Sequence, residues 1–115
     1  MDKPKVFMYA RFGIGVEQEH IDFIKEKLDG FLEMVDAELV GQKWEIIANG
    51  AKSEHIHKII EKCCNKQWAI LTYDLKTLHE RHSGALSIIS EGNVVGVPIF
   101  FIEAESVVKS LFSRG

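Results

Sequence analysis

Several groups of side chains in this sequence have types and spacings that chemistry uses. Gly13-Ile14-Gly15 lies between an apolar run and a helical pattern. Backbone N–H groups at such a junction can hold phosphate. Arg11, just upstream, would add a planar cationic fork that binds two oxygens of an anion at once. Asp74, His79 and Glu80 share one polar stretch and have the types used for proton transfer. His55 and His57, with His79 and His82, are metal-ligand types. Cys63 and Cys64 are adjacent.

Each group also has a plainer explanation. The glycine turn lacks the third glycine of a dinucleotide fingerprint and the Gly-Lys-Ser/Thr of a P-loop, so it reads as a tight strand-to-helix turn. Two histidines two apart at a helix start point to different sides, so no metal site is expected, and no cofactor. Neighbouring cysteines rarely bridge each other and fit a reducing compartment, one buried and one half exposed. Tyr9 and Tyr73 read as packing residues.

The bounds are those of a single globular domain over residues 1–115. The sequence is 46% hydrophobic and 27% charged, too apolar for a disordered chain. No apolar run approaches the roughly 18 residues of a membrane span, and the start has no signal-peptide pattern, so a cytoplasmic protein is expected. A formal net charge of −3 does not suit a domain that holds DNA by neutralising phosphates.

The elements that would position these residues alternate. Val6–Ala10 reads as a buried strand. From Glu17, Ile21, Ile24, Leu28, Phe31, Leu32 and Val35 recur at helical spacing. Trp44–Ala48 reads as a second strand, and Ser53 as the cap of a helix burying Ile56, Ile59, Ile60 and Cys63. Trp68–Tyr73 is a third strand. Asp74–His82 opens a third helix with Ala85, Leu86 and Ile89 inward, Ile88 at the margin, and an end near Gly92 or Asn93. Val97–Ile102 is a fourth strand, placed at an edge or begun near Pro98, which cannot donate to a ladder. Glu103–Phe112 reads as a last short helix. Strict alternation predicts a three-layer α/β fold: four parallel strands in order 2-1-3-4 with helices on both faces, two on each. Function in such sheets gathers beyond the carboxyl ends of the strands, here Arg11–Gly15, Ala48–Ser53, Tyr73–His79 and Glu103–Glu105.

Tyr9-Ala10-Arg11-Phe12-Gly13 resembles the first strand end of the serine site-specific recombinases of the resolvase and invertase family, Tyr-Ala-Arg-Val-Ser. Ile70-Leu71-Thr72-Tyr73-Asp74-Leu75-Lys76-Thr77-Leu78-His79-Glu80 lies over the family's third strand and its loop Leu-Asp-Arg-Leu-Gly-Arg. Gly96-Val97 to Phe101-Ile102-Glu103 lies over its Gly-Val turn and final strand, without a gap between the two stretches. The resemblance runs from Lys5 to Glu103 and implies a resolvase-like catalytic-domain fold.

The departures bear on function. The family's serine, which attacks a DNA phosphate, falls on Gly13, which has no side-chain oxygen. The loop Asp-Arg falls on Lys76-Thr77, and the second loop arginine on Glu80, with Arg81 one position away. A further family arginine falls near Glu54, with Lys52 the nearby cation. Arg11 stays in place. Since donors aimed at the developing phosphate charge supply much of such a rate, the resemblance implies a catalytically inactive domain. It would act through protein association, connected with DNA recombination or mobile elements. The family's long helix and DNA-binding domain are not expected in so short a chain, so no strong DNA binding is expected from this chain alone. A homodimer through the third or fourth helix is expected, with Val107, Val108, Leu111 and Phe112 as interface candidates, unless these seal the domain's own core. Another protein is the other expected partner. The alternative is a small-molecule or anion binder, or an enzyme of different chemistry, using the crevice around Arg11, with Lys52, Lys76 and Arg81 as further anion-binding candidates. A working recombinase fragment with unusual catalysis is the reading least compatible with Gly13.

Overall fold

A computed structural model describes residues 3–48 and 55–103. Eight elements follow in chain order: β1 (Lys5–Gly13), α1 (Gln18–Val35), β2 (Glu38–Ile47), α2 (His55–Lys66), β3 (Ala69–Thr72), α3 (Leu75–Leu78), α4 (His82–Val95) and β4 (Ile99–Phe101). The strands form one sheet in the order β2-β1-β3-β4, and every pairing is parallel. This is the predicted order.

Side chains alternate across β1 and so divide the core in two. Val6, Met8, Ala10 and Phe12 face α1 and pack with Ile24, Leu28, Leu32 and Leu71. Phe7 and Tyr9 face the opposite way, into a core with Ile59, Cys63, Leu78 and Ile88 from α2, α3 and α4. Among the described residues one helix therefore covers the first face and three cover the second, where sequence alternation predicts two and two. The predicted last helix, with Val107, Val108, Leu111 and Phe112, lies outside the described residues, as does the Ser53 cap.

β1 and β2 are longer than their apolar cores, whereas β3 is shorter than the predicted Trp68–Tyr73. β1 continues through Arg11 to Gly13 because β2 continues beside it, Arg11 opposite Glu45 and Gly13 opposite Ile47. β2 begins at Glu38 rather than Trp44. Its first half mixes Glu38, Gly41 and Gln42 with apolar residues because it is an edge strand with solvent beside it, and that mixture hides the strand pattern. β4 is shorter than predicted and begins just after Pro98, whose carbonyl accepts from the Ile70 N–H at 2.9 Å.

The predicted third helix is two. Asp74 caps α3: its carboxylate accepts the Thr77 N–H at 2.9 Å, and the Thr77 hydroxyl accepts the Asp74 N–H at 2.9 Å. This reciprocal box serves a single turn, closed where the His79 N–H meets the Leu75 carbonyl. Extended backbone at His79 and Arg81 then re-aims the chain into α4. Its buried stripe is Ala85, Ile88 and Gly92, with Leu86 and Ile89 half-buried. Ile88 is thus the inward residue, not a marginal one, because the helix starts at His82 and its phase is set from there. α4 ends at Gly96 in the left-handed conformation, φ 79°.

Cys63 is buried and Cys64 exposed, both as free thiols. Burial pushes the Cys63 thiol up to about 11. No helix among the described residues is long and apolar enough to cross a membrane.

Candidate functional site

The carboxyl end of β1 opens into a cleft of about 600 Å³ between the β1–α1 turn and α3. Arg11, Gly13, Gly15, Asp74, Lys76 and Glu80 are among its lining residues. The turn closes with the Val16 N–H on the Gly13 carbonyl at 3.3 Å. Gly15 has φ 94°, a conformation that requires glycine. Gly13 does not share it, so the backbone at position 13 would admit other residues. Position 13 offers the cleft its backbone only, since glycine has no side chain.

Alternation along β1 places Arg11 on the α3 side, one step beyond the fully buried Tyr9. The Arg11 side chain is 4% exposed, and its Nη2 lies 3.3 Å from Glu80 Oε1 in the α3–α4 connection. Glu45, directly opposite Arg11 on β2 and therefore on the same face of the sheet, is also buried. The cleft's guanidinium thus has the Glu80 carboxylate beside it, and its neighbour across the β1–β2 ladder is a buried glutamate.

Thr77 is a structural residue here. It is 3% exposed, and its hydroxyl lies 3.0 Å from that of the buried Thr72 and 2.9 Å from the Asp74 carbonyl oxygen. Lys76 is exposed at the rim. Arg81 stands exposed at the start of α4 and does not line the cleft; its backbone N–H donates to His79 Nδ1 at 2.9 Å. Accepting that bond requires the neutral ring, protonated on Nε2. Burial, with the charge of Arg11, holds the His79 pKa below its usual value. His57 is engaged elsewhere, its Nδ1 2.8 Å from Glu91 on α4. No group of three or more metal-ligand types converges among the described residues.

The structure thus brings Arg11, Gly13, Lys76, Thr77 and Glu80 to one strand end, with Tyr9 packed beneath. Lys52 and Glu54 lie outside the described residues. Sequence reasoning missed Glu45, because the register that sets it against Arg11 is not visible in one strand alone. It also missed the Arg11–Glu80 pair, whose members are 69 positions apart.

An open parallel sheet flanked by helices, with its cleft at the strand carboxyl ends, defines a three-layer α/β class. Within that class the chain has the fold of serine recombinase catalytic domains. It is similar to the C-terminal catalytic domain of ISC1926 TnpA, an IS607-like serine recombinase, at 18% identity and TM-score 0.69, over 95% of this chain and 78% of that one. It is similar to the N-terminal catalytic domain of TP901-1 integrase at 21% identity and TM-score 0.70, over 94% and 87%. A resolvase family site-specific recombinase from Streptococcus pneumoniae gives 21% and 0.70, over 88% and 73%. No protein-family model and no curated protein matches the sequence.

Proposed function

We propose that this chain is a catalytically inactive serine-recombinase-like domain. It acts in the cytoplasm through association with a second copy or another protein, in DNA recombination or in the life of a mobile element. The observation that carries the reading is the strand end itself: Gly13 offers no nucleophile where the resemblance puts a serine, and Glu80 sits on Arg11. Attack on a phosphodiester needs both an oxygen to attack and cations that face the developing charge. Here a carboxylate faces the guanidinium instead, and Thr77 is bound into a helix cap. The free thiols Cys63 and Cys64 support a reducing compartment.

The test uses supercoiled plasmids carrying a range of recombination sites. No covalent protein–DNA adduct is expected from the natural chain, and none from Gly13→Ser, because Glu80 and Thr77 remain. A stable adduct from either protein overturns the assignment of inactivity. Light scattering on the same preparation at tens of micromolar addresses association, where a mass above the monomer is expected. A cleft of about 600 Å³ also supports the alternative of a small-molecule ligand. The carboxylates Asp74 and Glu80 at its wall disfavour an anion there.

A further inference from the structure

The α1 face of the sheet is covered unevenly. α1 crosses its middle, with Lys25 Nζ 5.9 Å from the centre of the Trp44 ring on β2, and leaves a margin open on each side; on the β2 side Ile46, opposite Phe12, is 62% exposed. Over β3 and β4 the same face carries a strip of aromatic and aliphatic side chains. Phe100 is opposite Leu71 in register and so points to the α1 side, yet it is 51% exposed. Phe23 on α1 is 46% exposed and meets the half-buried Tyr73 edge-on, ring centres 6.3 Å apart. Ile102 continues the strip, partly buried against the α1 core. Among the described residues no second helix covers it, since α2, α3 and α4 all pack on the opposite face.

The chain leaves the sheet beside this strip. Beyond β4, the Ile102 N–H bonds the Thr72 carbonyl at 3.1 Å and the Glu103 N–H bonds the Tyr73 carbonyl at 2.8 Å, which fixes the exit at its rim. The segment that follows, residues 104–115, lies outside the described residues. Its sequence places Val107, Val108, Leu111 and Phe112 at one helical stripe, with Lys109, Ser110 and Ser113 turned away. Three residues, Ala104 to Ser106, separate Glu103 from the first of these, within the two to six usual for a strand-to-helix connection.

We propose that the Phe23–Tyr73–Phe100 strip is the docking surface for this chain's own residues 107–112. The apolar stripe matches the apolar strip, and a connection of three residues holds it there at a millimolar-scale effective concentration. The segment is thereby assigned to the domain's own second α1-face layer rather than to an interface between copies. This goes beyond the proposed function and stands independently of it, since an active and an inactive domain would close this face alike.

Nuclear Overhauser contacts in the full-length protein test the assignment. In uniformly labelled protein, contacts are expected from Leu111 and Phe112 to Phe100 and Tyr73. In a mixture of labelled and unlabelled chains, filtered for contacts between them, the same cross-peaks should be absent. Their absence from the uniform sample overturns the proposal. Their appearance between chains overturns it too, and assigns the strip to a second copy. Phe112→Ser should lose the contacts at Phe100 and lower Tm by several degrees, while contacts between α2 and α4 persist. Unchanged Phe100 contacts in that variant would also count against it.

Discussion

Arg11 reaches the cleft as half of an ion pair, and this decides what an incoming anion meets. Glu80 is about a quarter exposed, so its charge is partly screened, but it occupies one edge of the fork that would otherwise grip two oxygens. Glu80→Gln keeps the shape and removes the charge. Inorganic phosphate, titrated while following the Arg11 side-chain resonance, should bind about tenfold more tightly to this variant, roughly 1.4 kcal/mol. Equal affinity would mean that Glu80 does not guard the guanidinium. The neighbouring His79 supplies a pH dependence with a defined sign. Burial first, then Arg11, disfavours its charged form, so its folded pKa lies below the unfolded value. Its contribution to stability is therefore present above the ordinary histidine value near 6.5 and is lost as pH falls through the lower folded value. Tm should drop between pH 7.5 and 5.5, and His79→Asn, whose amide oxygen can still accept the Arg81 N–H, should flatten that drop. An identical pH profile in the variant would place the dependence on another group. Arg11 and Gly13 were legible in the sequence because a strand-end position follows from periodicity. Their partners were not, because pairing across 69 residues depends on how α3 and α4 are joined.

The four strands, their order and the longer helices followed from period, while α3 and several boundaries did not, because a local hydrogen bond or an edge position outranked periodicity. The split between α3 and α4 is such a place: Asp74 and Thr77 cap each other across one turn, and no apolar spacing records that. Gly92 is another. The sequence suggests a helix end there, yet it lies inside α4 because the Val97 carbonyl rests against it. A Cβ at Gly92 would come within 2.7 Å of that oxygen and 3.3 Å of Ile99 Cδ1. Neither the carbonyl nor the helix can withdraw without disturbing the turn into β4. Gly92→Ala is therefore expected to cost about 1–3 kcal/mol, the range for overpacking a close contact. Gly30 is the control. It sits in the interior of α1, and a Cβ there meets nothing within 4 Å. Gly30→Ala should stabilise by up to about 1 kcal/mol through helix propensity. Thermal melts of the two variants should move in opposite directions. A neutral Gly92→Ala would show that the α4–β4 turn is loose.

At the scale of the whole molecule, charge limits what the domain does by itself. The net charge is −3, and the cleft where a phosphate would sit presents Asp74 and Glu80 beside its two cations. The outer side of α1 adds Asp22, Glu26, Asp29 and Glu33 along one shallow groove, relieved there by Lys25. Affinity for duplex DNA grows with the number of phosphates neutralised and the counterions released, and the described groove that gathers cations offers three lysines, Lys43, Lys58 and Lys62, beside His55. Like charge over the α1 groove also slows encounter, because the field that steers a basic domain toward DNA acts there in the opposite sense. The chain alone should therefore bind duplex DNA more weakly than the ~10⁻⁴–10⁻⁶ M of ordinary non-specific binders at physiological salt. Fluorescence anisotropy of a labelled duplex, titrated at two salt concentrations, measures this. A micromolar transition that weakens steeply with salt would show that the chain carries a phosphate-binding surface, with the Lys43–Lys58–Lys62 groove the first place to look, and reaches DNA without help. A flat titration leaves DNA contact to a partner, in line with the association proposed above.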